Sequence, residues 1–189
     1  GFPKRTEEPS QYRNIECLDH AFSSWTDFVA ANALVDLALT MQLEALSFSS
    51  YLPLRRLVPK VLQEERFHFQ HAKGWLRRLA SSEKAKAELG NSIKKLSGML
   101  LAWFGKPGSV SEQALTEAGV QTTDSDGLRN RFREKIVSLL QHWDLRFLDL
   151  QTVSWEGFDE AFRRFTRTGP DAETFAQIES FFNHPYPVT

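Results

Sequence analysis

The chain has 189 residues, 41% of them hydrophobic and 25% charged, and its 23 Lys+Arg against 24 Asp+Glu leave a net charge of −1. This length and balance suit one globular domain with a core of its own, and argue against a disordered chain or a strongly basic nucleic-acid binder. A single cysteine, Cys17, excludes an intramolecular disulfide, a Cys-rich zinc site and an iron–sulfur cluster made by this chain alone, and one free thiol favours the reducing cytoplasm.

Residues 1–20 carry two prolines and mixed charge without a period, which predicts an extended lead-in lying over the rest of the fold. From about 22 to 51, Trp25, Val29, Ala33, Leu37, Met41 and Ala45 recur every four residues, the spacing of a helix face. Pro53 punctuates, and a second helical pattern runs over 54–80, with Pro59 inside it predicting either a kink or a helix start near Val58. Ser81 and Ser82 are candidate N-caps for a third helix carrying Ile93, Leu96, Leu100 and Trp103, which ends at Gly105-Lys106-Pro107-Gly108. A short helix is expected at 111–118. Asp124 or Ser125 can cap a fourth long helix over 127–143, where Phe132, Ile136 and Leu140 step by four.

Residues 144–154 fit either an extended or a helical reading; two short helices are expected at 155–167 and 170–182, before a tail through His184 and Pro185. Period-two alternation is almost wanting. The class is therefore all-α: a helix bundle, with a lead-in (1–20), a bundle core (21–145) and short C-terminal helices with a tail (146–189). The longest apolar run, 99–104, falls far short of the ~20 residues of a membrane span, and the polar stretch 1–11 has no apolar signal core.

The chemistry concentrates in Leu62-Gln63-Glu64-Glu65-Arg66-Phe67-His68. Glu65 and His68 stand three apart, so on a helix a carboxylate and an imidazole share one face and can grip one metal ion. Asp36 lies mid-helix in an apolar setting where an unpaired charge is expensive. The break at 51–53 falls midway between Asp36 and Glu65. Arms of about fourteen residues, roughly 21 Å of helix each, then bring the two carboxylates level in a hairpin. The expectation is that Asp36 and Glu65 face each other inside the bundle with His68 beside them. The ordinary alternative is an Asp36 that faces solvent or accepts a core hydrogen bond.

Together with Asn32-Ala33-Leu34-Val35 before Asp36, Ser49-Ser50-Tyr51 at the break and the Glu64-Glu65-Arg66-Phe67-His68 helix, this pattern resembles the phenylacetic acid catabolic family. The likeness spans about 21–170, and more loosely takes in Trp103-Phe104-Gly105 with Pro107, the Leu128-Arg129 to Phe132 stretch and Trp155-Glu156-Gly157-Phe158. The resemblance implies a ferritin-like bundle around a carboxylate-bridged di-iron centre that activates O₂. It also implies ring epoxidation of phenylacetyl-CoA or a similar aromatic acyl-CoA, with electrons from a separate reductase. Carried over, Asp36, Glu65 and His68 would be metal ligands, with Asp36 and Glu65 as the catalytic carboxylates.

They make half of such a centre. The family draws the other half from an earlier helix pair, one Glu and a second Glu-x-x-His. Upstream of Asp36 the chain has Glu7, Glu8, Glu16, Asp19, His20 and Asp27 in no such arrangement, and His142 and His184 lack a Glu three residues before them. Two expectations follow. One is that the natural protein begins upstream of Gly1 with that helix pair, so that this chain by itself is metal-poor, its acidic groove open to self-association or to an N-terminal fragment. The other is a metal-free subunit that scaffolds a catalytic partner in a homo- or hetero-oligomer. No nucleic-acid or membrane partner is expected.

Lesser candidates are Glu64 as a hydrogen-bond partner of His68, His71 on the same stripe, and Glu44 eight residues beyond Asp36; Glu64 and Glu44 read sooner as helix-surface charges, and His71 sooner as a surface or core histidine. Arg55, Arg56, Lys60, Arg66, Lys73, Arg77 and Arg78 could meet CoA phosphates or simply be solvated. Trp75, Trp103, Phe104, Trp143, Phe147 and Trp155 read as bundle core sooner than as a ring-binding pocket.

Overall fold

The structure is a computed structural model that describes residues 8–141 and 153–183. Six α-helices appear among them: α1 (Trp25–Leu46), α2 (Leu52–Ala80), α3 (Glu83–Trp103), α4 (Val110–Glu117), α5 (Ser125–Gln141) and α6 (Ala172–Asn183). The expectations placed on Glu7, His142, Trp143, Phe147, His184 and the stretch 144–152 lie outside the described residues.

Helix α1 is the spine. Ser24 caps it by accepting from the Asp27 amide at 3.0 Å. Its apolar residues fall on nearly every side, and Ala30, Ala33, Leu34, Ala38 and Met41 are buried. A helix apolar all round must be covered on several sides, and α1 packs against α2, α3 and α5. This corrects the reading that no segment could span a membrane. By length and composition α1 is long and apolar enough, although interruptions at Asn32 and Asp36 keep every unbroken run short; in the fold it is mostly buried.

The α1–α2 turn is pinned from outside. Ser50 donates its amide to the Gly119 carbonyl at 2.8 Å and its hydroxyl to the Ala118 carbonyl at 2.6 Å. Helix α2 begins at Leu52, not near Val58, with one proline in its first turn and Pro59 in its interior. A first-turn proline lacks only an amide that has no partner there, whereas Pro59 removes one interior bond that the long helix tolerates. Ser82 occupies the N-cap position of α3 without a side-chain cap; the Ser81 hydroxyl turns back to the Arg78 carbonyl at 2.7 Å instead. Asp124 caps α5, accepting from the Gly127 amide at 2.7 Å, and Phe132, Ile136 and Leu140 are buried as their spacing predicts.

The helix expected at 155–167 does not form. That segment is a chain of turns with one antiparallel bridge between Asp159 and Arg164. Asp159 offers its own carboxylate to the amides of Ala161 and Phe162 at 2.9 and 3.1 Å, so the local backbone is satisfied without a helix. The aromatic residues of this segment, Trp155, Phe158 and Phe165, form an edge-to-face stack.

This turn segment is sewn to the lead-in. Residues 8–20 contain two three-residue 3-10 turns and no α-helix. Glu16 accepts from the amides of Phe165 and Thr166, both at 3.0 Å, and Arg164 forms a buried ion pair with Asp19. Gly169 has φ +68°, and a Cβ there would lie 1.7 Å from the Pro9 carbonyl oxygen. Gly169→Ala is therefore expected to cost about 2 kcal/mol, from a left-handed backbone combined with a clash. Urea denaturation would check this, with a midpoint equal to that of the unmodified chain as the contrary result.

Candidate metal centre

The α1–α2 hairpin brings Asp36, on α1, to the level of Glu65 and His68, on α2. One potential ligand atom from each of the three lies within 4.8 Å of the others. This is the only such cluster of three or more among the described residues. His68 Nδ1 stands 3.7 Å from Glu65 Oε1; the imidazole is exposed, while the Glu65 side chain is only 14% exposed.

Two features set this cluster apart from an ordinary patch of surface acids. Asp36 Oδ2 and Glu65 Oε2 are both buried without a hydrogen-bond partner. Orphaned acceptors of this kind are costly. Burial also pushes the Asp36 carboxyl up to about 6; the neighbouring Glu65 charge adds to this and His68 works against it. The donor set fits a metal: two hard carboxylates and an imidazole, with the unpaired oxygens where a cation would satisfy them. It fits as half of a dinuclear bundle centre, which takes a carboxylate from each of two helices and a Glu-x-x-His from each of two others.

The Asp36 shift fixes a pH dependence for the metal-free protein. The folded state holds this proton more tightly than the unfolded state, so the stability from this group is fully present below about 4 and is lost as pH rises through about 6. Metal binding must displace the same proton and should weaken progressively below pH 6. Titration of the Asp36 carboxyl carbon by NMR checks this; a midpoint near 4 in the metal-free protein would contradict it.

The other candidates are sorted by geometry. Glu44 forms an ion pair with Arg131 of α5, at 2.6 Å, and is not one of the cluster. His71 accepts from the Trp75 indole at 3.1 Å, and Glu64 is exposed. Arg66, Lys73 and Arg77 line a cleft of about 360 Å³ between α1, α2 and α5 that also includes Glu65. Arg55, Arg56 and Lys60 are exposed elsewhere on α2, and Arg78 lies over the Trp75 ring at 5.5 Å. Phe104 is core, Trp75 and Trp103 pack partly buried against it, and Trp155 lies under the Arg129 guanidinium at 5.3 Å. Lys135, on α5, was missed and lines the same cleft. Its signal was the stripe Arg131, Lys135 and Leu139, which places one cation-bearing face of α5 toward α1.

A family profile described as phenylacetic acid catabolic protein matches residues 5–169. No individual curated protein matches the chain significantly. The all-helical fold agrees with a ferritin-like bundle, and the match extends over most of the sequence. The chain therefore belongs to the phenylacetic acid catabolic protein family, which places it in phenylacetic acid catabolism.

Proposed function

We propose that the chain is a subunit of a multicomponent di-iron oxygenase, cytoplasmic and supplied with electrons by a separate reductase, that epoxidises the ring of phenylacetyl-CoA or a similar aromatic acyl-CoA. The observation that carries this reading is the convergence of Asp36, Glu65 and His68 beside a cleft into which Glu65 also opens.

Asp36, Glu65 and His68 are the residues that would hold iron, whose redox chemistry with O₂ no side chain can supply. The protein's own contribution is placement. Leu37, Met41, Phe69 and Leu139 give the cleft apolar walls next to Glu65, suited to an aromatic acyl group and to keeping water from it. Arg66, Lys73, Arg77 and Lys135 line the same cleft with cations for the phosphates of a CoA carrier. Asp36 would have to give up its proton to hold the metal as an anionic ligand.

Iron content after anaerobic ferrous reconstitution tests the reading. Uptake that His68→Ala abolishes is the expected result. A chain that takes up no iron would leave the metal-free scaffold as the better description. For the cleft, Lys73→Ala combined with Arg77→Ala should weaken phenylacetyl-CoA binding about tenfold by calorimetry, through loss of two charged contacts; unchanged binding would remove the cleft from the proposal.

A further inference from the structure

We propose that His71, Trp75 and Trp25 form a one-electron relay that leads away from the metal site and discharges an oxidised centre when no substrate fills the cleft. This rests on the reading of Asp36, Glu65 and His68 as an iron site, and goes beyond it in giving a function to residues outside the ligand set.

The relay starts one helical turn from a ligand. His71 follows His68 by three residues on α2, so the two side chains share a face with Cβ atoms about 5–6 Å apart. His71 Nε2 accepts from the Trp75 indole Nε1–H at 3.1 Å, one further turn along. Trp75 then meets Trp25, on α1, edge to face with ring centroids 5.3 Å apart. Trp25 is 52% exposed and stacks on Phe28. One hydrogen bond and one ring contact thus join the ligand face of α2 to an exposed indole. At the other end Asp36 Oδ2 and Glu65 Oε2 are buried, so a bulky soluble reductant meets Trp25 and not the carboxylates.

The chemistry of the contacts suits electron transfer better than packing. Trp25 and Trp75 lie at the margin of the core, one exposed and one half-buried. Among the described residues no other tryptophan donates its indole to a histidine; Trp103 packs against Phe104 and Trp155 lies under Arg129. An indole that loses an electron becomes a strong acid at Nε1, so a base held on that proton makes the electron easier to remove. His71 is such a base, a neutral imidazole with its free nitrogen on the indole proton. Arg78 acts in the same sense. Its guanidinium lies 5.5 Å from the Trp75 ring centroid, and a positive charge there disfavours a cationic ring, so the proton leaves with the electron.

Trp75 gives one electron to the oxidised iron and its Nε1 proton to His71 Nε2, leaving a neutral indolyl radical beside an imidazolium. Trp25 passes one electron to Trp75, which takes its proton back from His71, and Trp25 releases its own indole proton to water. A soluble thiol restores Trp25 by giving up a hydrogen atom. In sum one electron has moved from thiol to iron, one proton has gone to water, the thiol has become a thiyl radical, and the protein is unchanged.

A photo-oxidant fixed at the ligand position tests the relay without metal. His68→Cys, labelled at the new thiol with a ruthenium polypyridyl complex, places a one-electron oxidant there, while the buried Cys17 stays unlabelled. After flash oxidation of the ruthenium, transient absorption should show a neutral tryptophan radical. Trp75→Phe, which keeps an aromatic ring in place, should remove most of that signal. His71→Gln keeps an acceptor for the indole but no base; it should slow proton loss by roughly 100-fold, so that the tryptophan cation radical accumulates. Trp25→Phe should leave the Trp75 radical and slow its quenching by added glutathione. Side chains that serve packing alone would leave all three signals as they are. A radical unaffected by Trp75→Phe, or proton loss as fast in His71→Gln, overturns the relay and leaves the metal reading standing. Iron uptake by the unlabelled chain judges that reading separately; a chain that takes up none has no oxidant for the relay, which overturns both.

Discussion

Asp19→Asn should destabilise the chain by about 3–5 kcal/mol, the usual cost of breaking a buried ion pair from one side. Asp19 and Arg164 are both about 1% exposed, and Arg164 Nε already lacks a hydrogen-bond partner. In Asp19→Asn one neutral amide oxygen must serve donors from both Asn14 and Arg164, and the guanidinium, with the Tyr12 carbonyl at 3.3 Å, stays buried and charged without a counter-ion. Arg164→Met should cost less. It strands Asp19 with Asn14 Nδ2, at 2.8 Å, but fills the space with an apolar side chain. The double variant Asp19→Asn/Arg164→Met should be more stable than the sum of the singles implies, because neither leaves a naked charge. Urea midpoints of the three variants measure this coupling, and strict additivity would show that the pair does not act as a unit. The loss should unfold the seam of lead-in and turn segment first: Asp19 also accepts the Asp171 amide at 2.8 Å, which carries the restraint to the start of α6.

This seam was illegible in the sequence, and the reason is physical. Asp19 and Arg164 are separated by 145 residues, and nothing local marks either as buried. The helices were legible because their signals are local. The four-residue step of α5 names its buried face directly, that of α1 marks the helix although Trp25 at its start is exposed and residues off the stripe are buried too, and the α1–α2 break can be read from Tyr51 and its neighbouring proline. Where local signals compete, the reading fails. Residues 155–167 have helix-like aromatic spacing, but the Asp159 carboxylate takes up the amides a helix would need and Gly157 has φ +74°. The cluster was legible because a hairpin turns equal arm lengths into spatial coincidence, so Asp36 and Glu65 could be matched by counting along the chain. The cleft beside them was only half legible. Arg66, Lys73 and Arg77 lie on the same helix as Glu65, but Lys135 and Leu139 come from α5, whose docking against α1 no local pattern reports.

Asp36→Asn should move stability and metal binding in opposite directions, and that combination distinguishes a metal site from a structural carboxylate. In the metal-free protein the Asp36 charge is disfavoured by burial and by Glu65, and its Oδ2 has no partner. At pH 8, above the raised value of about 6, the carboxylate is ionised and its penalty is present in full. Replacing it with a neutral amide of the same shape removes that penalty and gives Glu65 an amide donor close by. After allowance for the partial exposure of the site, the metal-free variant should gain about 1 kcal/mol at pH 8 and little or nothing at pH 4. Metal affinity should meanwhile fall by more than ~100-fold, since even outer partners of metal ligands cost 10–100-fold when lost. A carboxylate kept for structure behaves otherwise: its loss destabilises the fold and leaves metal binding as it was. Thermal denaturation at the two pH values, beside a Mn²⁺ titration, reads both quantities on the same sample. A variant that is less stable at pH 8 and binds metal unchanged would remove Asp36 from the centre. A variant that gains stability as it loses the metal would show that the fold tolerates a strained charge at this position for the sake of the ion it holds.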